Sequence, residues 1–138
     1  MTFQRDYILR IIEDFFKFLA IILKLKSEKL YQQALDATDE TCEKLLHLNI
    51  SHIESEDYDI SKATEEFGLN SDQTDILARL LKVKADIRLE MGNRITATRL
   101  YEKSHYLLEW LQNTSRNFSI ERANLLLDIH RHLNGLKG

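Results

Sequence analysis

The chain has 138 residues, enough for one domain with its own hydrophobic core. It contains no proline, four glycines and one cysteine, so turn formers are too scarce for a many-stranded sheet, and an internal disulfide or multi-cysteine zinc site is excluded. The net charge of −3 is divided unevenly: residues 1–30 carry +2, residues 31–75 carry −10 and residues 76–138 carry +5. The acidic middle is therefore expected to face the basic C-terminal half, within one molecule or between two. The domain lacks the overall basic excess that nucleic-acid binding usually demands.

Apolar residues recur at steps of three and four through Phe3, Tyr7, Ile8, Ile11, Ile12, Phe15, Phe16, Leu19, Ile22 and Leu23, which predicts a helix over residues 3–26. Leu9, Phe18, Ile21 and Leu25 fall outside that stripe, so the helix should be covered on more than one side. It is either central to the core, or self-associates through Phe15, Phe18 and Ile22, or lies on a membrane interface. The mixed signs of Arg10, Glu13, Asp14, Lys17 and Lys24 weigh against the membrane. The apolar run at residues 15–25 is too short and too interrupted to span a bilayer, and it lacks a secretory cleavage site, so a cytoplasmic location is expected.

Ser27 is placed as a cap before a second helix that ends near residue 48. Leu30, Ala34, Ala37, Thr41, Leu45 and Leu48 form one row, with Tyr31, Leu35, Cys42 and Leu46 beside it. Cys42 on that stripe reads as a buried, inert thiol. The pattern weakens over residues 49–70. Ser51-x-x-Glu54 has the form of a capping box, and Ile60, Ala63, Thr64 and Phe67 predict a short helix ended by Gly68. The cluster Glu54, Glu56, Asp57 and Asp59 lacks the glycine of a calcium loop and reads as solvated.

Ser71 or Asp72 is expected to cap a third long helix over residues 72–91, with Ile76, Leu77, Leu80, Leu81, Ala85, Ile87 and Leu89 apolar. Gly92 turns the chain, and Asn93 caps a fourth helix over residues 95–113 that buries Leu100, Tyr101, Leu107, Leu108 and Leu111. A polar break at residues 113–117 precedes a last helix over residues 119–133. Ile120, Ala123, Leu126, Leu127 and His130 mark its packed side, and Asn134-Gly135 stops it.

Leu81, Ala85, Gly92, Ala97, Tyr101 and Ser104 follow one another at spacings of four, seven, five, four and three, as bulky, small, turn, small, aromatic and small residues. This pattern resembles one tetratricopeptide repeat (TPR). Lys84 and Arg88 stand where that motif has leucine and tyrosine, and Glu109 stands where it has its closing proline. The opening Gln4-x-Asp6-Tyr7-Ile8-x-Arg10-x-Ile12-Glu13, followed by Phe18-Leu19, resembles a family of uncharacterised bacterial helical proteins, a domain of unknown function. That resemblance implies a first helix ahead of a TPR-like hairpin and carries no activity, cofactor or site.

The expected fold is all-α: antiparallel helical hairpins with right-handed TPR-like stacking, five long helices and one short one. A single domain at 1–138 would divide into an N-terminal hairpin (1–48), an acidic connector with a short helix (49–70), a TPR-like hairpin (71–113) and a C-terminal helix (118–134). No catalytic, cofactor or metal residue is assigned. The expected role is a non-enzymatic interaction or scaffold module that binds a protein or peptide and forms a homodimer. In a TPR-like groove, Arg79, Lys82 and Asp86 would meet that partner, or else pair with the acidic stretch of the same chain. One alternative is a small metal-binding protein or enzyme using Glu102-x-x-His105, the spacing of di-iron bundles, although a second such pair is missing and His130-x-His132 diverges on a helix. Another is regulatory nucleic-acid binding through Arg79, Lys82, Arg88 and Arg99.

Overall fold

A computed structural model describes residues 2–114 and 119–137, with side chains from residue 5 onward. The side chain of Phe3, placed in the first stripe, and residues 115–117 of the polar break lie outside what is described. Among the described residues the fold is entirely helical, without a strand. Its five long helices are α1 (Thr2–Ser27), α2 (Tyr31–Leu46), α5 (Ser71–Glu90), α6 (Arg94–Thr114) and α7 (Ile120–Lys137). The connector holds two short pieces where the sequence pattern predicts one. These are α3 (Ile50–Glu54) and a 3₁₀ turn (Ile60–Lys62) that runs into α4 (Ala63–Glu66).

The helix ends follow local hydrogen bonding more than apolar periodicity. Asn49 caps α3, Asp59 caps the 3₁₀ turn and Asn70 caps α5, each side chain accepting a backbone N–H that would otherwise be unsatisfied. These residues displace Ser51, Ser71 and Asp72 from the predicted capping roles. Asn70 completes a capping box with Gln73, whose side chain accepts from the Asn70 N–H at 3.0 Å. Ser27 does not begin α2: it ends α1, and its hydroxyl donates to the Lys24 carbonyl at 2.7 Å. Gly135 does not stop α7, which continues to Lys137.

Three helices close with the same pair of backbone bonds. Beyond α5, Gly92 N–H reaches Leu89 O and Asn93 N–H reaches Arg88 O, with Gly92 at a φ of 82°. Gly68 repeats this after α4, bonding to Glu65, while Leu69 N–H reaches Thr64 O. After α1 the left-handed position is Lys29, at a φ of 63°, where a Cβ is costly.

One apolar cluster joins all five long helices. α5 is its centre: Thr74, Ile76, Leu77, Ala78, Leu80, Leu81, Val83, Lys84, Ala85 and Ile87 are all buried, which covers most of the way round the helix. α6 packs on it most extensively, and α2 and α1 pack on it as well. α6 and α5 approach closely where Ser104 Oγ donates to the Ala78 carbonyl at 2.6 Å and where Ala85 and Ala97 are buried.

α1 offers Ile11, Phe15 and Ile22 to the core, with Phe18, Leu19 and Leu25 packed against it. Tyr7, Phe16 and Leu23, assigned to its packed stripe, are exposed instead. The packed side of α7 agrees only in part with the one predicted: Leu126 packs against the core and Ala123 is half-buried. Ile129 is its single buried residue, and Ile120 and Leu127 face outward.

The closing bonds make a direct prediction. Lys29→Gly should raise stability by about 1 kcal/mol, because glycine adopts positive φ without a Cβ clash. Gly92→Ala should lower it by a similar amount, about 1 kcal/mol, although an added Cβ would meet no atom within 4 Å. Urea denaturation of the two variants measures both shifts.

Candidate functional site

The most concentrated ionic cluster lies where α7 crosses α5 and α6. Asp75, Arg79, Lys82 and Asp86 advance by three or four residues along α5, which puts them on one face. Arg79 donates to Asp75 at 3.0 Å and to Glu121 of α7 at 2.8 Å. Lys82 lies 2.9 Å from Asp86 and 2.9 Å from Asp128 of α7. The Tyr101 hydroxyl on α6 donates a short hydrogen bond to the other Asp86 oxygen. The His132 ring stacks on the Tyr101 ring at a centroid distance of 5.0 Å, and His132 Nδ1 lies 2.8 Å from the Asp128 carbonyl.

Burial alone would lower the Lys82 ammonium pKa, yet the charge of Asp86 and the hydrogen bonds to Asp128 and Asp86 raise it above its ordinary value. Burial and the neighbouring Asp86 push the Tyr101 phenol up, so it stays a hydrogen-bond donor. Burial also pushes the Asp128 carboxyl up, but the Lys82 hydrogen bond and charge outweigh that and hold it below its ordinary value. A small polar hollow of about 270 Å³, lined by Lys26, Asp86, Glu90, Tyr101, Asp128 and His132, opens beside this cluster.

Arg79, Lys82 and Asp86 therefore lie together and are already occupied, Arg79 in part by Asp75 of the acidic middle. Their partners across the seam are Glu121 and Asp128 of α7, not the acidic connector. The connector is held by two other cations that sequence reasoning leaves unassigned. Lys84 is buried, with its Nζ 2.6 Å from Asp39 on α2 and 2.7 Å from Glu54 at the end of α3. The Glu54 oxygen accepts no well-directed hydrogen bond, so that contact is mainly Coulombic. Lys103 on α6 is 7% exposed and donates to the carbonyls of Ile53, Ser55 and Tyr58 at 2.6, 2.5 and 3.1 Å. Its ammonium also lies 5.6 Å from the centre of the Tyr58 ring. Desolvation and Arg99 lower the Lys103 pKa, against the opposing pull of Glu54 and Asp59.

The other candidate residues scatter. Glu102 is exposed, while His105 lies 3.6 Å from Glu109 and its ring is 6.5 Å from that of His130. Among the described residues no three His, Cys, Asp or Glu side chains converge on a common metal position. Burial pushes the Cys42 thiol up to about 12, which leaves it a poor nucleophile. Of the basic residues considered for nucleic acid, Arg79 and Lys82 are bound to carboxylates and Arg99 approaches Glu56 at 3.7 Å. Phe15 and Ile22, named for self-association, are core residues of the single chain and cannot meet a second copy without unfolding it. Phe18 is half-buried under the Lys44 ammonium, which lies 5.3 Å from its ring centre.

Compared with protein-family models, curated proteins and solved structures, the chain matches none. Among the described residues, no helix is long and apolar enough to cross a membrane.

Two outcomes follow from these latches. Lys103→Met should cost about 3 kcal/mol, because three connector carbonyls lose a charged donor, and the midpoint of urea unfolding reads it. The lowered Asp128 pKa stabilises the fold above the unfolded value near 3.8, and this contribution is lost as pH falls through the folded value. Amide NMR signals of α7 should therefore shift on acidification, and Asp128→Asn should show a weakened α7 already at neutral pH.

Proposed function

We propose that this protein is a non-enzymatic interaction or scaffold module whose helices stack as right-handed, TPR-like hairpins. The observation that carries this reading is where the apolar surface lies. Among the described residues, five of the eleven large hydrophobics left exposed are on α1: Tyr7 and Ile21 beside α2, and Leu9, Phe16 and Leu23 on another face. Apolar side chains concentrated on one helix suit a protein partner, since their burial is the main gain in association. The hairpin reading is supported by the glycine turn between α5 and α6 and by their close approach at Ser104 and Ala78. In this arrangement α7 takes the position of the next helix in the stack, and its acids neutralise Arg79 and Lys82.

The partner surface accordingly moves from Arg79, Lys82 and Asp86 to the α1–α2 groove. Tyr7, Arg10, Asp14, Phe18 and Lys44 line one part of that groove, and Phe18, Ile21, Ala37 and Glu40 line the next. Its polar rim and apolar floor fit an amphipathic helix or an extended peptide.

Affinity capture with the intact protein and with Ile21→Glu tests this. Ile21 is exposed, so the variant should keep its circular dichroism and thermal midpoint while losing at least about 10-fold of the captured partner. Equal capture by both proteins would remove the groove from the account. Stoichiometric iron, manganese or zinc in the purified protein would instead favour the Glu102 and His105 reading.

A further inference from the structure

α1 carries two apolar stripes of the same period. Ile11, Phe15, Phe18, Ile22 and Leu25 advance by alternating threes and fours and lie in or beside the core. Leu9, Ile12, Phe16, Leu19 and Leu23 advance by the same steps, about 100° further round the helix, with Leu19 on the side that also packs against the core. This is the heptad spacing with which two helices interlock side chains along a seam. Leu9, Phe16 and Leu23 are 48%, 47% and 44% exposed, so the second stripe has no full cover within the chain.

The edge of the second stripe that points away from the core holds Asp6, Glu13, Lys17 and Lys24, all exposed. Among the described residues none of the four has an ionic partner within the chain. Their order along the helix is acid, acid, base, base. The Asp6–Lys24 and Glu13–Lys17 pairs are both centred on position 15, next to the middle of the stripe at Phe16.

We infer that this stripe is the interface with a second copy of the chain, joined antiparallel about a two-fold axis close to Phe16. In an antiparallel pair the charged edge meets itself, so Asp6 of each copy faces Lys24 of the other and Glu13 faces Lys17. In a parallel pair the same edge would face the buried stripe of the second copy and leave all four charges unmatched. From Leu9 to Leu23 the stripe runs about four turns of the 26-residue α1, roughly 21 Å of seam. An edge with equal acid and base also suits a second copy better than an anionic lipid surface. This deepens the scaffold reading, on a face distinct from the α1–α2 groove, so loss of either leaves the other measurable.

Sedimentation equilibrium of the full chain tests it. The unaltered protein should be a dimer, and Phe16→Glu should raise the dissociation constant at least about 30-fold with helicity and thermal midpoint retained. Glu13→Lys should weaken the dimer, and Glu13→Lys with Lys17→Glu should restore it. A monomer at high micromolar concentration, a dimer indifferent to Phe16→Glu, or a double variant as weak as Glu13→Lys alone would each overturn the inference.

Discussion

The burial of α5 on nearly every side is the constraint from which the other contacts follow. A helix in that position needs small residues where a neighbour comes close, and Ala78, Ala85, Ala97 and Ser104 meet that need between α5 and α6. Any ionisable side chain it carries inward must also find a counter-charge, because an unpaired buried charge is expensive. Lys84 meets that demand by reaching Asp39 and Glu54, and in doing so it ties α2 and α3 to the central helix.

The remaining elements are attached by the same physical device. α3 and the following loop bury few apolar groups, and Lys103 holds them by three carbonyl oxygens. α7 buries one residue fully, packs Leu125, Leu126, Leu133 and Leu136 against the core, and is held as well by Arg79, Lys82 and the Tyr101–His132 stack. The uneven charge along the chain is thus partly resolved inside one molecule. Carboxylates of the acidic middle meet Lys84 and Arg99, and the acids of α7 meet the cations of α5.

How much of this was legible depends on what each signal encodes. The long helices and the turn at Gly92 are readable because period and positive φ are local properties. The face that α1 buries is not, since its apolar residues run most of the way round and the choice is made by α2 and α5. Periodicity points Phe16 and Leu23 inward for that reason, whereas Phe18 and Leu25 are the residues packed against the core. The packed side of α7 is legible only in part: Leu126 packs inward, but Ile120 and Leu127 look apolar whether or not a neighbour reaches them. Lys84 and Lys103 were missed because hydropathy counts lysine as surface, although its long aliphatic stem can cross a core and deliver the charge at the far side. One clue is present: Leu77, Leu80, Leu81, Lys84 and Ile87 share one helix face, so a lysine stands within an apolar row. Arg79, Lys82 and Asp86 are singled out by their place in a TPR-like hairpin, but their partners on α7 lie more than forty residues away in the chain, beyond the reach of any local pattern.

A central helix pair with peripheral elements latched to it by charge implies a graded resistance to local opening. Native-state hydrogen exchange reads that gradient directly. Amides of α5 and α6 should exchange only through global unfolding, with the α3–α4 connector and α7 opening at lower free energy. Exchange from α5 that is as fast as from α7, or a connector as protected as α5, would contradict the account.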